Sequence, residues 1–296
     1  MTERVIDLSD EAAELHIRYD NLIVERSGAE DVSVPLCDLA VLVVSHPQVT
    51  YTHSVLWRIP AAGGVFISCD DHRLPVGMLL PIEAHFLQTE RFAQQACASL
   101  PTRKRLWRQI VRAKVRAQGR LLKRLRGHDS GLLALAQRVG SGDPSNIEAQ
   151  ASRRYWPRLF ADKKFRRRRT AADQNRLLNY GYAVLRATVA RAVCGAGLHP
   201  SVGVHHKNRY NSYCLADDLM EPFRPIIDEA VARWVAERGA AAPLDAEAKA
   251  AILQGITGRW PLEGESRSLF DLLSRTASSL AAVFAGEGKD LVLPEV

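Results

Sequence analysis

The sequence LWRQIVRAKVRAQGRLLKRL at residues 106–125 decides how the larger part of this chain folds. Apolar residues recur there every three or four positions, at Leu106, Ile110, Ala113, Ala117, Leu121 and Leu125. This period predicts an amphipathic helix with one face in a core. The other faces carry cations and no carboxylate, namely Arg103, Lys104, Arg105, Arg108, Arg112, Lys114, Arg116, Arg120, Lys123, Arg124 and Arg126. Most charge runs are solvated faces, but repulsion among so many cations favours contact with a polyanion.

Charge is distributed unevenly along the 296 residues, although the net charge is only +7. The first 96 residues carry 6 basic and 14 acidic side chains, whereas residues 97–170 carry 21 basic and 4 acidic ones. A second basic run follows the helix, at Lys163, Lys164, Arg166, Arg167, Arg168 and Arg169. We therefore expect nucleic acid to contact this run and the cations of the helix at 103–124.

The first part of the chain has the short apolar runs of a β-sheet. Turn residues separate predicted strands at residues 4–8, 15–19, 22–25, 32–35, 39–44 and 65–69. The run at 39–44 is apolar on both faces, so we expect a central, buried strand. After Pro75 and Pro81 the pattern changes to the helical period. The predicted fold class is therefore α+β, with a small N-terminal β-rich domain followed by a larger all-α domain.

Domain boundaries and two helix ends follow from the same patterns. We expect a β domain over 1–82, a linker or polar helix over 83–100, an α-helical catalytic domain over 101–285 and a tail over 286–296. Asp143 followed by Pro144 predicts a helix start with Glu148 in an early turn. Pro222 and Pro225 must kink or divide a later helix.

Several classes of protein are disfavoured. Five widely spaced cysteines without a C-x-x-C pair indicate neither a zinc site nor a disulfide framework, and they fit a reduced cytoplasm. The N-terminus lacks a signal-peptide pattern, and no uncharged apolar run approaches the ~18 residues of a membrane span. The sequence also lacks a G-x-S-x-G elbow, a P-loop and a G-x-G-x-x-G motif after a strand.

Glu148 is one of the four acids between residues 97 and 170. A carboxylate kept inside such a cationic stretch has two common explanations. It pairs with a nearby arginine, for which Arg153 and Arg154 are candidates, or it binds a metal ion. Its position alone favours the ion pair.

A second acidic group follows two adjacent histidines, His205 and His206. Asp217, Asp218 and Glu221 are close enough in sequence for one helix to bring 218 and 221, or 217 and 221, onto a shared face. Carboxylates with an imidazole form a hard site suited to Mg²⁺ or Mn²⁺. A histidine pair is also common on surfaces. The patterns alone therefore predict a basic helical nucleic-acid-binding protein with a candidate metal site.

Several motifs occur in an order that resembles one known family. They are PLCDLA at 35–40, HPQVT at 46–50, PVGMLLP at 75–81, NYGYAVLR at 179–186, GLHP at 197–200, GVHHKN at 203–208 and LADDLMEPFRP at 215–225. Together they resemble the CRISPR-associated adaptation endonuclease, the integrase that inserts new spacers, in the form found in type II systems. The resemblance covers nearly the whole chain and implies an N-terminal β domain and a C-terminal α domain.

The resemblance implies a catalytic metal site. Glu148, His206 and Glu221 would be both catalytic residues and ligands of Mg²⁺ or Mn²⁺. The spacing of the family motif selects His206, and His205 is left as a neighbour that orients it or touches phosphate. Asp218 is implied as a supporting residue.

The resemblance also implies a reaction and partners. A 3′-hydroxyl of a short DNA fragment would attack a phosphodiester at the edge of a CRISPR repeat, and water in its place would give nuclease activity. Expected partners are double-stranded DNA (spacer precursor and repeat), a second copy of the chain in a homodimer, a small ferredoxin-like second adaptation protein and, as a further candidate, the type II effector nuclease. The alternatives are a structure-specific DNA repair nuclease and a non-enzymatic basic DNA-binding protein.

Overall fold

The computed structural model describes residues 3–71, 75–168, 171, 173–262 and 264–294. These residues fold into two units that divide after Phe86. The first unit is built on strands and the second mainly on helices, so the predicted α+β class is confirmed. Within the described ranges, every helix is too short or too polar to cross a membrane.

The strands of the first unit follow the apolar runs of the sequence closely. They are β1 (Arg4–Leu8), β2 (Glu14–Arg18), β3 (Asn21–Glu25), β4 (Val32–Pro35), β5 (Leu39–Val44), β6 (Thr50–Tyr51), β7 (Val65–Cys69) and β8 (Pro75–Leu79), with helix α1 (His53–Ala61) between β6 and β7. The pattern did not reveal β6, which has only two residues, or β8, whose side chains are largely exposed.

Two sheets enclose the core of the first unit. One has the strand order β1-β5-β7-β8, in which β5 pairs in parallel with both β1 and β7. All residues of β5 are buried, as expected for a strand that is apolar on both faces. The other sheet has the order β4-β3-β2-β6. Its β2–β3 turn contains Tyr19 and Asp20, whose φ values of 47° and 59° are typical of tight hairpins.

The regular secondary structure described in the second unit is helical apart from one hairpin. The helices are α2 (Gln88–Ala96), α3 (Leu100–Arg126), α4 (Leu132–Gln137), α5 (Ile147–Leu159), α6 (Asn175–Gly195), α7 (Cys214–Met220), α8 (Arg224–Arg238), α9 (Ala246–Thr257) and α10 (Leu269–Ala285). The hairpin pairs β9 (Arg259–Leu262) with β10 (Glu265–Ser268). The all-α expectation did not include it, because these short strands lack a clear apolar alternation.

Helix α3 is the 27-residue helix predicted from the apolar stripe. The Ser99 side chain accepts a hydrogen bond from the Thr102 N–H at its start, and Gly127, with a φ of 78°, ends it. Leu106, Ile110, Ala117 and Leu121 are buried. The helix packs against α4, α5, α8 and a 3₁₀ turn at Glu221–Phe223. Elements that are distant in sequence therefore meet along α3.

The segments expected as a linker and a tail are hydrogen-bonded to the second unit. Gln95 of α2 donates to the carbonyl of His199 at 2.9 Å. Near the C-terminus, the Leu291 N–H donates to the Gln109 side chain of α3 at 2.8 Å. The helical unit thus includes α2 and the chain around Leu291, beyond the expected bounds of 101–285.

Candidate active site

Lys114 of α3 lies at the centre of the candidate site. Its Nζ is 2.6 Å from Glu148 Oε1 and 2.6 Å from Glu221 Oε2. The residue is 7% exposed, so its ammonium is enclosed between the two carboxylates. The structure thus brings two of the sequence-predicted metal ligands together. Lys114 is also one of the predicted DNA contacts, and in this structure its ammonium is buried and engaged with these two carboxylates.

Glu148 is held in the first turn of α5 by two polar side chains. Asn146 is the N-cap, and its side chain accepts a hydrogen bond from the Ala149 N–H. Asp143 accepts from the N–H groups of Ile147 and Glu148 at 2.9 and 3.0 Å. Asp143 therefore caps the helix, but the helix begins at Ile147 rather than at the residue after Asp143. The ion-pair partner of Glu148 is in α3, not a neighbouring arginine of α5.

Glu221 lies between α7 and α8 because prolines divide the helix, as predicted. Pro222 and Pro225 each occupy the start of a new element, where a missing N–H is tolerated. Arg224 Nε is 3.0 Å from Glu221 Oε1, while Lys114 faces the other oxygen. Burial favours the neutral acid, but the charges of Arg224 and Lys114 outweigh it and lower the pKa of Glu221 to about 2. Glu221 is therefore an anion at neutral pH.

Asp218 of α7 organises the loop that carries the two histidines. Its Oδ2 accepts a hydrogen bond from the His205 N–H at 2.8 Å, and its Oδ1 is hydrogen-bonded to His206 Nδ1. Asp218 is fully buried. The contact leaves Nε2 of His206 as the nitrogen able to bind a metal ion. The hydrogen bond to Asp218 raises the pKa of His206 against partial burial, and the charges of Asp218, Glu221 and Glu148 add to the rise.

Both imidazole rings pack on Trp107 of α3. The His205 ring is parallel to the indole, with centroids 4.2 Å apart, and the His206 ring meets it edge-on at 5.7 Å. Trp107 precedes Lys114 by two helical turns, so the two share one face of α3. The sequence-based site did not include Trp107, although this spacing is a signal that could have found it.

Gly203 allows the histidine loop to close tightly on α7. A Cβ at this position would lie 2.4 Å from the backbone oxygen of His206 and 3.0 Å from Asp218 Oδ2. A backbone oxygen cannot turn aside as a flexible side chain can. The Gly-x-x-His spacing of the sequence therefore has a steric cause, since a side chain at Gly203 would push His206 out of place.

Asp217, the remaining acid of the group, has other partners. Arg186 Nε donates to Asp217 Oδ1 and Asn211 Nδ2 donates to Asp217 Oδ2, each at 2.7 Å. Of the acids at 217, 218 and 221, Glu221 is the one directed at Lys114, and Asp218 is directed at the histidine loop.

The donor set suits a divalent cation. Among the described residues, no three His, Cys, Asp or Glu side chains are grouped as a metal site. Glu148 and Glu221 both contact Lys114 instead. Glu221 Oε2 is buried and faces the Lys114 ammonium at 2.6 Å. A buried anionic oxygen of this kind is what a hard cation would bind, and carboxylates with one imidazole suit Mg²⁺ or Mn²⁺.

Some predicted DNA-contact cations are engaged within the protein. Arg103 donates to backbone carbonyls at the end of α2, including that of Ala98 at 3.1 Å. Arg124 forms an ion pair with Glu229 at 2.8 Å. Arg167 donates to two asparagines of α6 and lies 5.3 Å from the ring centroid of Tyr182. These arginines therefore have structural partners of their own.

The other predicted cations are exposed or half-buried at the surface. They are Lys104, Arg105, Arg108, Arg112, Arg116, Arg120, Lys123, Lys163, Lys164, Arg166 and Arg168. Partial burial lowers the pKa of Arg112, and the charges of Arg116 and Arg108 lower it further. Crowded cations of this kind would be stabilised by an anion. Arg169 lies outside the described residues.

Asp228 of α8 is a buried polar residue that the sequence reasoning missed. It accepts hydrogen bonds from the hydroxyls of Tyr155, at 2.7 Å, and Tyr182. Arg224 lies 4.5 Å from the ring centroid of Tyr182, so this network adjoins the partner of Glu221. Burial raises the pKa of Asp228 to about 6, although both tyrosine hydrogen bonds oppose the rise.

We expect Asp228 to make the chain less stable as pH rises between 3.8 and about 6. In this window the folded state retains a proton that the unfolded state releases, so unfolding is favoured as pH increases, by at most about 3 kcal/mol. Urea unfolding of the wild type and of Asp228→Asn at several pH values measures the effect. The free energy of unfolding of the variant minus that of the wild type should increase with pH between 3.8 and about 6 and stay constant above that range. A difference independent of pH would contradict the assignment.

Comparisons with known sequences point to the family that the motifs resemble. The family model for the CRISPR associated protein Cas1 matches residues 7–253. The chain is 32% identical over 293 residues to the CRISPR-associated endonuclease Cas1 of Neisseria meningitidis, covering 98% of this chain and 95% of that protein. It is 31% identical over 259 residues to a CRISPR-associated endonuclease Cas1 of Thermus thermophilus, covering 82% and 79% of the two.

Solved structures share the fold. A casposase bound to its integration product has a TM-score of 0.79 at 18% identity, covering 97% of this chain and 92% of that one. A Cas1 protein from Thermotoga maritima has a TM-score of 0.74 at 18% identity, covering 96% and 97%. The family implied by the sequence motifs is confirmed, and this chain belongs to the CRISPR-associated Cas1 family.

Proposed function

We propose that this chain cuts and joins DNA phosphodiester bonds and integrates short DNA fragments at the edge of a CRISPR repeat. The observation that carries the proposal is the convergence of Glu148 and Glu221 on one cation position near the loop of His206. The names of the curated relatives, which are CRISPR-associated endonucleases, support the same reaction class. The casposase structure, solved with its integration product, supports the joining step.

We expect Glu148, His206 and Glu221 to hold Mg²⁺ or Mn²⁺, which would neutralise charge on the phosphoryl oxygens and on the leaving oxygen. Neighbouring residues orient each proposed ligand or keep it ionised. Asp218 binds Nδ1 of His206 and so directs Nε2 outward. Arg224 helps to keep Glu221 ionised. The caps of α5 fix the backbone of Glu148.

The proposed reaction is a transesterification at phosphorus. The oxygen of a 3′-hydroxyl forms a bond to phosphorus and loses its proton, while the bond to the leaving 3′-oxygen breaks and that oxygen gains a proton. One phosphodiester is exchanged for another, so no external energy source is needed. The chain's contribution is to position the two DNA ends and to stabilise the charge of the transition state. Water as the nucleophile would give hydrolysis at the same site.

We propose double-stranded DNA and a small second adaptation protein as partners in the cytoplasm. A Cas6-RT-Cas1–Cas2 complex shares the fold of this chain at a TM-score of 0.76 and 19% identity, with this chain spanning 36% of that one. A Cas1–DNA complex matches at a TM-score of 0.56 and 15% identity. These structures support both partners. The homodimer and the type II effector nuclease are proposed from the sequence resemblance.

Replacing both Arg116 and Lys123 with Gln should weaken duplex binding alike for all DNA sequences. Both side chains are exposed on α3, where they would meet phosphates rather than bases. The slope of log K against log salt concentration is negative, and its magnitude should decrease by about one per lost phosphate contact. Fluorescence anisotropy with a labelled duplex over a series of salt concentrations measures this slope. Arg233→Gln, which removes an exposed cation from α8, is the control, and an unchanged slope in the double variant would rule out these contacts.

A strand-transfer assay tests the proposed reaction against its alternatives. The chain, with the second adaptation protein, is incubated with a labelled fragment, a plasmid containing a repeat, and Mn²⁺ or Mg²⁺. Joined product is expected. Cutting of branched DNA without joining would favour a repair nuclease, and salt-sensitive binding without any metal-dependent product would favour an architectural protein. If Ala at Glu148, His206 and Glu221 each left joining at the wild-type level, the proposed site would be wrong.

A further inference from the structure

Lys114 differs from the other cations of α3 in being enclosed by acids from distant parts of the chain. Its Nζ donates a hydrogen bond to Glu148 Oε1 of α5 at 2.6 Å and lies 2.6 Å from Glu221 Oε2 of the 3₁₀ turn. Two carboxylate oxygens within 2.6 Å of one lysine nitrogen stabilise its protonated form. The group between the two carboxylates is therefore an ammonium ion.

The Lys114 ammonium balances the negative charges of Glu148 and Glu221. Arg224 engages Oε1 of Glu221, which leaves Glu221 Oε2 and Glu148 Oε1 facing the same Lys114 nitrogen. Without a cation there, two carboxylates would face each other in a largely buried space, and their repulsion would be poorly screened. Lys114 therefore holds the two acids in the positions from which they could bind a metal ion.

Lys114 and a divalent ion would compete for the same two carboxylates. An ion held by Glu148 and Glu221 would compete with the Lys114 ammonium for these carboxylates, because two cations at contact distance repel strongly in a buried site. The lysine side chain is a flexible four-carbon stem, so the ammonium can withdraw while the backbone of α3 stays in place.

We propose that Lys114 is an internal counter-cation that fills the position between Glu148 and Glu221 and exchanges with the divalent ion when the metal binds. This inference rests on the proposed metal site of Glu148, His206 and Glu221. It has two consequences. The carboxylates stay assembled before a metal arrives, and the metal binds more weakly than it would to the same carboxylates without a competitor.

Mn²⁺ titration of a Lys114→Met variant tests the exchange. Met keeps much of the side-chain volume and removes the competing charge, so the Kd for Mn²⁺ at constant pH should fall by about tenfold or more. The melting temperature of the variant should be lower than that of the wild type without Mn²⁺ and should rise more on its addition. Arg233→Met, which removes the cation of an exposed ion pair with Glu229, should leave the Kd unchanged. A folded Lys114→Met chain with a wild-type or weaker Kd overturns the proposal.

Lysine reactivity in the wild-type chain gives a second measurement that does not depend on the variant folding. Brief acetylation followed by peptide mass spectrometry should find Lys114 protected without Mn²⁺ and reactive with it. The exposed Lys104, on the same helix, should react equally in both conditions. Protection of Lys114 that saturating Mn²⁺ does not change overturns the exchange.

The two proposals fail in different ways. Mn²⁺ binding that is lost in Glu148→Gln but unaffected by Lys114→Met would overturn the exchange and leave the metal site standing. An absence of Mn²⁺ binding in both the wild type and Lys114→Met would overturn both.

Discussion

Replacing Glu148 with Gln should lower metal-dependent DNA joining by about 10²- to 10³-fold while the chain stays folded. The amide keeps the shape of the side chain but removes one of the two negative charges that face the cation position. Glu221 would still be paired with Lys114 and Arg224, so the substitution leaves no buried cation alone. The strand-transfer assay measures the rate, and a thermal melt reports on folding.

Glu229→Gln is the matched control for this substitution. Glu229 is also a partly buried glutamate that pairs with a cation of α3, Arg124, and it pairs with Arg233 as well. It lies outside the group around Lys114, so joining should stay close to the wild-type rate. A Glu148→Gln chain that joined DNA as fast as Glu229→Gln would show that Glu148 has no part in the reaction.

Replacing Gly203 with Ala should lower DNA joining by about 100-fold, because a displacement of a catalytic group by about 1 Å has an effect of this size. The added Cβ would overlap the backbone oxygen of His206 and crowd Asp218. The loop would have to move away from α7, and His206 would lose the hydrogen bond that directs its ring. Such crowding costs roughly 1–3 kcal/mol of stability.

Gly195→Ala is the control that distinguishes crowding at Gly203 from the effect of replacing a glycine elsewhere in the chain. Gly195 ends α6, and a Cβ there would have no neighbouring atom within 4 Å, so joining should be unaffected and stability unchanged or raised by up to about 1 kcal/mol. Denaturant unfolding and the joining rate are measured for both variants. Wild-type joining by Gly203→Ala would mean that the close approach of the loop does not position His206.

Local sequence was sufficient for much of the fold and for part of the site. Strand positions could be predicted because apolar runs between turn residues report burial directly, as β5 illustrates. The division of the helix around Glu221 could be predicted because proline lacks an N–H. The convergence of Glu148 and Glu221 was implied by family resemblance and not by spacing, since 73 residues of chain separate them.

The partners of these acids could not be predicted, because they come from long-range packing. Lys114 looks like any other cation of α3 until α5 and the 3₁₀ turn are placed beside it. One local signal was available, since Lys114 follows Ile110 by four residues and precedes Ala117 by three, and so falls on the apolar stripe. Asp228 gives no such signal, because the two tyrosines that bind it are 73 and 46 residues away.

Helix α3 has a consequence for where DNA would be cut and joined. Each residue advances about 1.5 Å along the axis, so the exposed Lys104 and Lys123 are held roughly 28 Å apart, with Lys114 between them. Under the proposed function, the same helix carries the cations that bind the duplex and Lys114 of the reaction centre. Because α3 is one continuous helix, the cations that would bind phosphate and the residue of the reaction centre keep a fixed spacing along its axis.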